Sequence, residues 1–148
     1  MKMNKTVVAS AVLAGLVVAS GAVHAADLGA YAGWGLAAGD GGTSQQLTVG
    51  TGIGSVGERD TITFATDARL LSADAKHNRV GNVGLSAFLS TDSSVTPYIR
   101  VSGGGTGAGV GMGAVAPIGA GFYLNSEVAG YNNSQVRGML SFSVIRHF

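Results

Sequence analysis

The last thirteen residues, "VRGMLSFSVIRHF", alternate in character up to the terminal phenylalanine. Every second residue back from the end gives Phe148, Arg146, Val144, Phe142, Leu140, Gly138 and Val136, apolar but for one arginine and one glycine. The intervening set, His147, Ile145, Ser143, Ser141, Met139 and Arg137, is mostly polar or small. A period of two belongs to an extended strand whose two faces meet different surroundings. The same period recurs upstream. Apolar rows such as Leu28-Ala30-Ala32-Trp34-Leu36, Ile62-Phe64-Ala68-Leu70 and Val83-Leu85-Ala87-Leu89 oppose rows of Gly, Ser, Thr and Asn. In "QLTVGTGIG" the apolar set is Leu47, Val49 and Ile53, and Val95-Ile99-Val101, Val110-Met112-Ala114 and Phe122-Leu124-Val128 continue the pattern. Turn-like residues separate the segments. Eight strands are predicted, each near the roughly 9–11 residues that cross a bilayer at a tilt.

Composition agrees with strands and excludes several classes. Glycine occurs 25 times, which disfavours helix, yet charged residues are only 11% and proline appears twice, unlike a disordered chain. Apolar residues at 46% are enough to fold. The start reads as an export address: a basic "MKMNK", an apolar stretch, then small residues that place cleavage after Ala25. Residues 1–25 are thus expected to be a signal peptide and residues 26–148 a single β-barrel domain. Nine basic residues less Lys2 and Lys5 leave seven against eight acidic ones, too balanced for a nucleic-acid binder. Without cysteine there is neither a disulfide nor a thiolate metal site, and three scattered histidines make no metal cluster, so no cofactor is expected.

Even strand number and short connections predict an all-β fold, an eight-stranded antiparallel up-and-down barrel, which leaves no open edge. Two versions share that alternation. A soluble exported barrel would turn its apolar rows inward around a small apolar ligand. A transmembrane barrel turns them to lipid and fills a narrow lumen with polar and small residues. Asp67, Arg69, Arg100, Glu127 and Arg137 all fall on the polar rows, whereas the apolar rows are almost free of charge. Trp34, Phe122 and Phe148 fall near expected strand ends, where interfacial aromatics belong. The transmembrane version fits better.

Three stretches then resemble the small outer-membrane β-barrels of the OmpA, OmpX and opacity-protein type: "TPYIRVSGGG", "VAPIGAGFYLNSEVAGY" and the closing "LSFSVIRHF". The resemblance spans the mature chain and is concentrated in its second half. It implies residence in a Gram-negative-type outer membrane, with lipid and lipopolysaccharide as surroundings and a monomeric state. It implies a structural or narrow-channel, porin-like role. No enzymatic activity is expected of this chain, because none of its histidines has a serine two residues away. Phe148, Val144, Phe142 and Leu140 match the terminal signal read by the barrel-insertion machinery, with periplasmic chaperones as partners during assembly. Arg146 departs from that signal, which favours an apolar or aromatic residue there.

With the terminus on the periplasmic side, the loop at 72–79 faces outward, and Lys76, His77 and Arg79 become candidate lipopolysaccharide contacts. A plain solvated loop is the rival reading. Asp67, Arg100, Glu127 and Arg137 fall in the outer half of the barrel. A last turn centred on Asn132 sets Glu127 opposite Arg137. A buried carboxylate must be paired, so these residues are expected to form a salt-bridge plug, or a gate if partners exchange. A lipid A-modifying enzyme, using His77, Ser72 and Glu127 on the acyl chains, is a weaker rival, since no spacing requires that triad. The runs "GGGTGAG" and "GTGIGSVG" lack the lysine and helix of a phosphate loop and suit packing against interior aromatics instead.

Overall fold

The computed structural model describes residues 29–40, 42–57, 62–73, 79–132 and 137–148. The expected signal peptide, with Lys76 and His77, lies outside them. Eight strands follow one another: β1 (Ala30–Gly39), β2 (Gly42–Val56), β3 (Ile62–Ala73), β4 (Arg79–Leu89), β5 (Thr96–Gly104), β6 (Gly109–Gly119), β7 (Phe122–Tyr131) and β8 (Gly138–His147). Each pairs antiparallel with the next, and β8 returns to β1 in a continuous register from Tyr31↔His147 to Gly39↔Met139. The barrel is closed, so every strand has two partners and no edge is left to aggregate.

The alternating rows decide which side chains lie inside. Large apolar residues point outward and are exposed: Val110 66%, Met112 68%, Ile99 62%, Val128 58% and Trp34 55%. The inward rows are buried and polar, with Arg100 and Gln46 each 1% exposed and Glu127 2%. Trp34 points outward as expected but from the middle of β1, not its end. Phe122, the first residue of β7, and Phe148 do lie at the rim.

Inward glycines act as sockets. A β-carbon at Gly50 would collide with the Tyr31 ring, one at Gly109 with Tyr131, one at Gly113 with Tyr98, and one at Gly84 with the Arg100 guanidinium. A narrow barrel can hold large side chains only where the neighbouring strand leaves room beside them, and Gly50, Gly113 and Gly109 are the register partners of Tyr31, Tyr98 and Tyr131. One glycine of each run is such a socket, Gly50 of "GTGIG" in β2 and Gly109 at the end of "GGGTGAG" between β5 and β6, whereas Gly54 and Gly103 have open space around them.

Strict alternation fails in β2. A bulge between Gly52 and Gly54 leaves Ile53 unpaired against β3, after which Gly54 pairs with Phe64 and Ser55 with Thr63. One extra residue swaps the faces of everything beyond it. Ile53 and Val56 are both exposed despite their odd spacing. At the β6–β7 hairpin, Gly119 pairs with Phe122 around Ala120 and Gly121, whose φ values are 53° and 77°. Two positive-φ central residues make a type I′ turn, whose twist matches that of the strands it joins.

Candidate functional site

The lumen is filled at mid-height by four charged side chains. Asp67 and Arg69 are two apart on the inward row of β3, Arg100 is the central residue of β5, and Glu127 stands near the middle of β7. Arg69 forks onto Glu127, with Nη1 donating to Oε1 and Nη2 to Oε2, each at 2.8 Å. Its Nε also lies 3.4 Å from Asp67 Oδ1. On the other side of Asp67, Arg100 Nε donates to Oδ2 at 3.0 Å and Nη2 to Oδ1 at 2.5 Å. The signs alternate along the chain Arg100, Asp67, Arg69, Glu127, and the cluster is neutral.

Neutral polar groups complete it. Asn82 Oδ1 accepts from Arg100 Nη2 at 2.9 Å. Tyr98 Oη is 2.7 Å from Glu127 Oε2 and 2.8 Å from Asn125 Oδ1. A phenol has one proton, which goes to the charged acceptor; Asn125 then satisfies the same oxygen by presenting its amide nitrogen. Asn125 also contacts Ser143 Oγ at 3.3 Å. Each carboxylate is thus held by several donors, the condition under which a buried charge is tolerable.

The cluster divides the lumen. Toward the chain-terminal rim lies a cavity of about 250 Å³, walled by Tyr31, Phe88, Tyr98, Tyr123 and His147 and floored by Asp67, Arg69 and Asn125. His147 stacks on Tyr31 and tilts against Tyr123, with centroids 5.5 and 4.7 Å away. Toward the opposite rim, Ala37, Leu71, Ala129, Tyr131 and Met139 pack together as a buried, mainly apolar cluster.

Of the residues expected in the lumen, Asp67, Arg69, Arg100 and Glu127 come together and Arg137 does not. Arg137 is exposed in the bend before β8, where its carbonyl accepts from the Tyr131 amide at 2.9 Å. The last hairpin pairs Glu127 with Ser141, because its connection is longer than a turn centred on Asn132. The cluster also sits at mid-barrel and not in the outer half. Arg79 opens β4 opposite Ser72, and its side chain is not among those described. Glu127, offered as a member of a triad with His77 and Ser72, has both oxygens engaged by Arg69 and Tyr98. Leu140, Phe142, Val144 and Phe148 form one exposed outward row. Sequence reasoning missed Tyr98, Asn82 and Asn125. Tyr98 and Asn125 lie two residues from Arg100 and Glu127 on the same inward rows, which is the signal that could have found them.

No protein-family model matches the chain, and no curated protein does. Among solved structures it is similar to Neisserial surface protein A (NspA), at 21% identity over 80% of this chain and 94% of that one, with a TM-score of 0.44. It is also similar to the S-type phycobiliprotein lyase CPES from Guillardia theta, at 6% identity over 82% of this chain and 88% of that one, with a TM-score of 0.47.

Proposed function

We propose that this protein is an integral outer-membrane β-barrel with a structural role, stoppered by its own lumen. The observation that carries the proposal is the inversion of its two surfaces. The outward face presents Leu, Val, Ile, Met, Phe and Trp side chains at 37–75% exposure, while two aspartate/glutamate–arginine pairs are 5% exposed or less. In water such an exterior would be an extended apolar patch seeking cover. In a bilayer it is the lipid-facing band, and the closed ladder gives every strand a hydrogen-bonding partner on both sides.

The proposal takes export to the outer membrane by the signal peptide, contact with lipid and lipopolysaccharide, and handling by chaperones and the insertion machinery through the terminal row. A monomer suffices, since each strand already has two neighbours. Catalysis forms no part of it. A narrow channel is the second reading, favoured by Arg69: it stands within reach of Asp67 and Glu127 together, so partner exchange could open a path. The resting state is closed twice over, by the ion pairs and by the apolar cluster around Tyr131 and Met139.

Cell fractionation followed by electrophoresis with and without boiling tests the proposal. A closed barrel in the outer-membrane fraction is expected to change mobility only on heating. Protein confined to the soluble periplasm would sink it in favour of a ligand-binding soluble barrel. In planar bilayers the purified protein is expected to give no steady conductance. Discrete openings lost in Arg69→Met would favour the gated reading.

A further inference from the structure

Arg146 breaks the terminal outward row. It is the one charged side chain among the described side chains of the strands that points outward; Asp67, Arg69, Arg100 and Glu127 all point into the lumen. Its guanidinium carbon sits 5.3 Å from the centre of the Phe122 ring and 5.6 Å from that of Phe148. Phe122 is its register partner on β7, and on the other side its partner is Ala32 of β1, followed toward the rim by Ala30. The result is a cation braced by two rings, with small alanine side chains on its β1 side.

Among the described residues no carboxylate lies within ion-pair distance of Arg146, and no hydrogen bond involves its side chain. Five N–H donors are therefore offered to the surroundings from a fixed position. That position is a boundary: Val144 and Phe142 continue the row into the apolar band, and Phe148 ends it. A cover that is apolar over Val144 and Phe142 and anionic one step further toward the rim would complement both parts of this row. A phospholipid has that layout, with acyl chains ending in a phosphodiester.

We infer that Arg146, steadied by Phe122 and Phe148, is a docking point for the headgroup phosphate of one phospholipid in the leaflet on the chain-terminal side. The inference rests on the membrane reading above. The guanidinium fork suits two phosphate oxygens, and the two rings limit the freedom it would otherwise lose on binding.

Native mass spectrometry of the full-length mature protein, released from detergent micelles, tests this. The micelles carry either phosphatidylglycerol or a phosphate-free galactosyl diacylglycerol. The wild type is expected to retain one phosphatidylglycerol and no galactolipid above background. Arg146→Gln is expected to lower retention about tenfold, Arg146→Lys less so, and Arg137→Gln not at all. Equal retention by the wild type and Arg146→Gln would overturn the assignment, as would equal retention of the two lipids. Displacement of the lipid by millimolar inorganic phosphate would show a free-anion site and overturn the lipid assignment too. Heat-dependent mobility of the same samples separates the two levels. A wild type without it fails the membrane reading, whereas a normal shift with unchanged lipid retention fails only this one.

Discussion

Single residues carry the lumen through mutual dependence. Glu127 serves Arg69 and Tyr98 at once, so Glu127→Ala leaves the buried Arg69 guanidinium with Asp67 alone and the buried Tyr98 phenol without its charged acceptor. A loss of about 3–5 kcal/mol is expected, read as a lower denaturant midpoint of protein refolded into phospholipid vesicles. The double variant Arg69→Met with Glu127→Leu removes the pair instead of orphaning half of it. It is expected to recover most of that loss. Gly84→Ala tests the socket: the added methyl meets the Arg100 guanidinium and pushes it off Asp67 and Asn82. About 1–3 kcal/mol of destabilisation should follow in the same assay. Row membership at this scale was legible, because a period of two sorts Asp67, Arg69, Arg100 and Glu127 to one side without knowledge of partners. The partners themselves were not. Arg69 meets Glu127 across 58 residues of chain, a meeting set by strand register and barrel closure.

At the scale of strands and turns, the pattern failed where the backbone stopped being regular. The bulge in β2 reverses inside and outside beyond Gly52, and no composition signal distinguishes its glycines from the socket glycines nearby. The misplacement of Arg137 has a similar cause: the residues around Asn132 look like a tight turn, but the register sets Gly130 against Gly138 and Tyr131 against Arg137, two residues out of step with that turn. In the β6–β7 turn, Ala120 adopts φ 53°, a conformation that costs an L-residue with a β-carbon roughly 1–2 kcal/mol. Ala120→Asn, which suits type I′ geometry, is expected to raise stability by up to about 1 kcal/mol in the vesicle assay. Met112→Arg probes the outer face of β6. Near the middle of a lipid-facing band it should cost about 2–4 kcal/mol and lower the yield of inserted, heat-shifting barrel. On a soluble barrel the same exposed arginine would be harmless and would improve solubility.

The whole molecule is an inside-out arrangement, with charge at the axis and hydrocarbon at the circumference, and its fold class follows from eight alternating segments. Its expected behaviour in the cell is equally global: resistance to detergent until boiled, and silence in a planar bilayer while both lumen stoppers are seated. The seam between β1 and β8 has a further consequence in time. Tyr31 must find His147 and Gly39 must find Met139, positions near opposite ends of the described chain. Until they meet, the first and last strands are bare edges and the inward charges have no enclosed space to pair in. Contacts so distant in sequence are slow to form, and closure is expected as one late step. Refolding should therefore be single-exponential and slow, with tyrosine burial and protease resistance appearing together. Chains lacking β8 should be degraded instead of accumulating as smaller barrels.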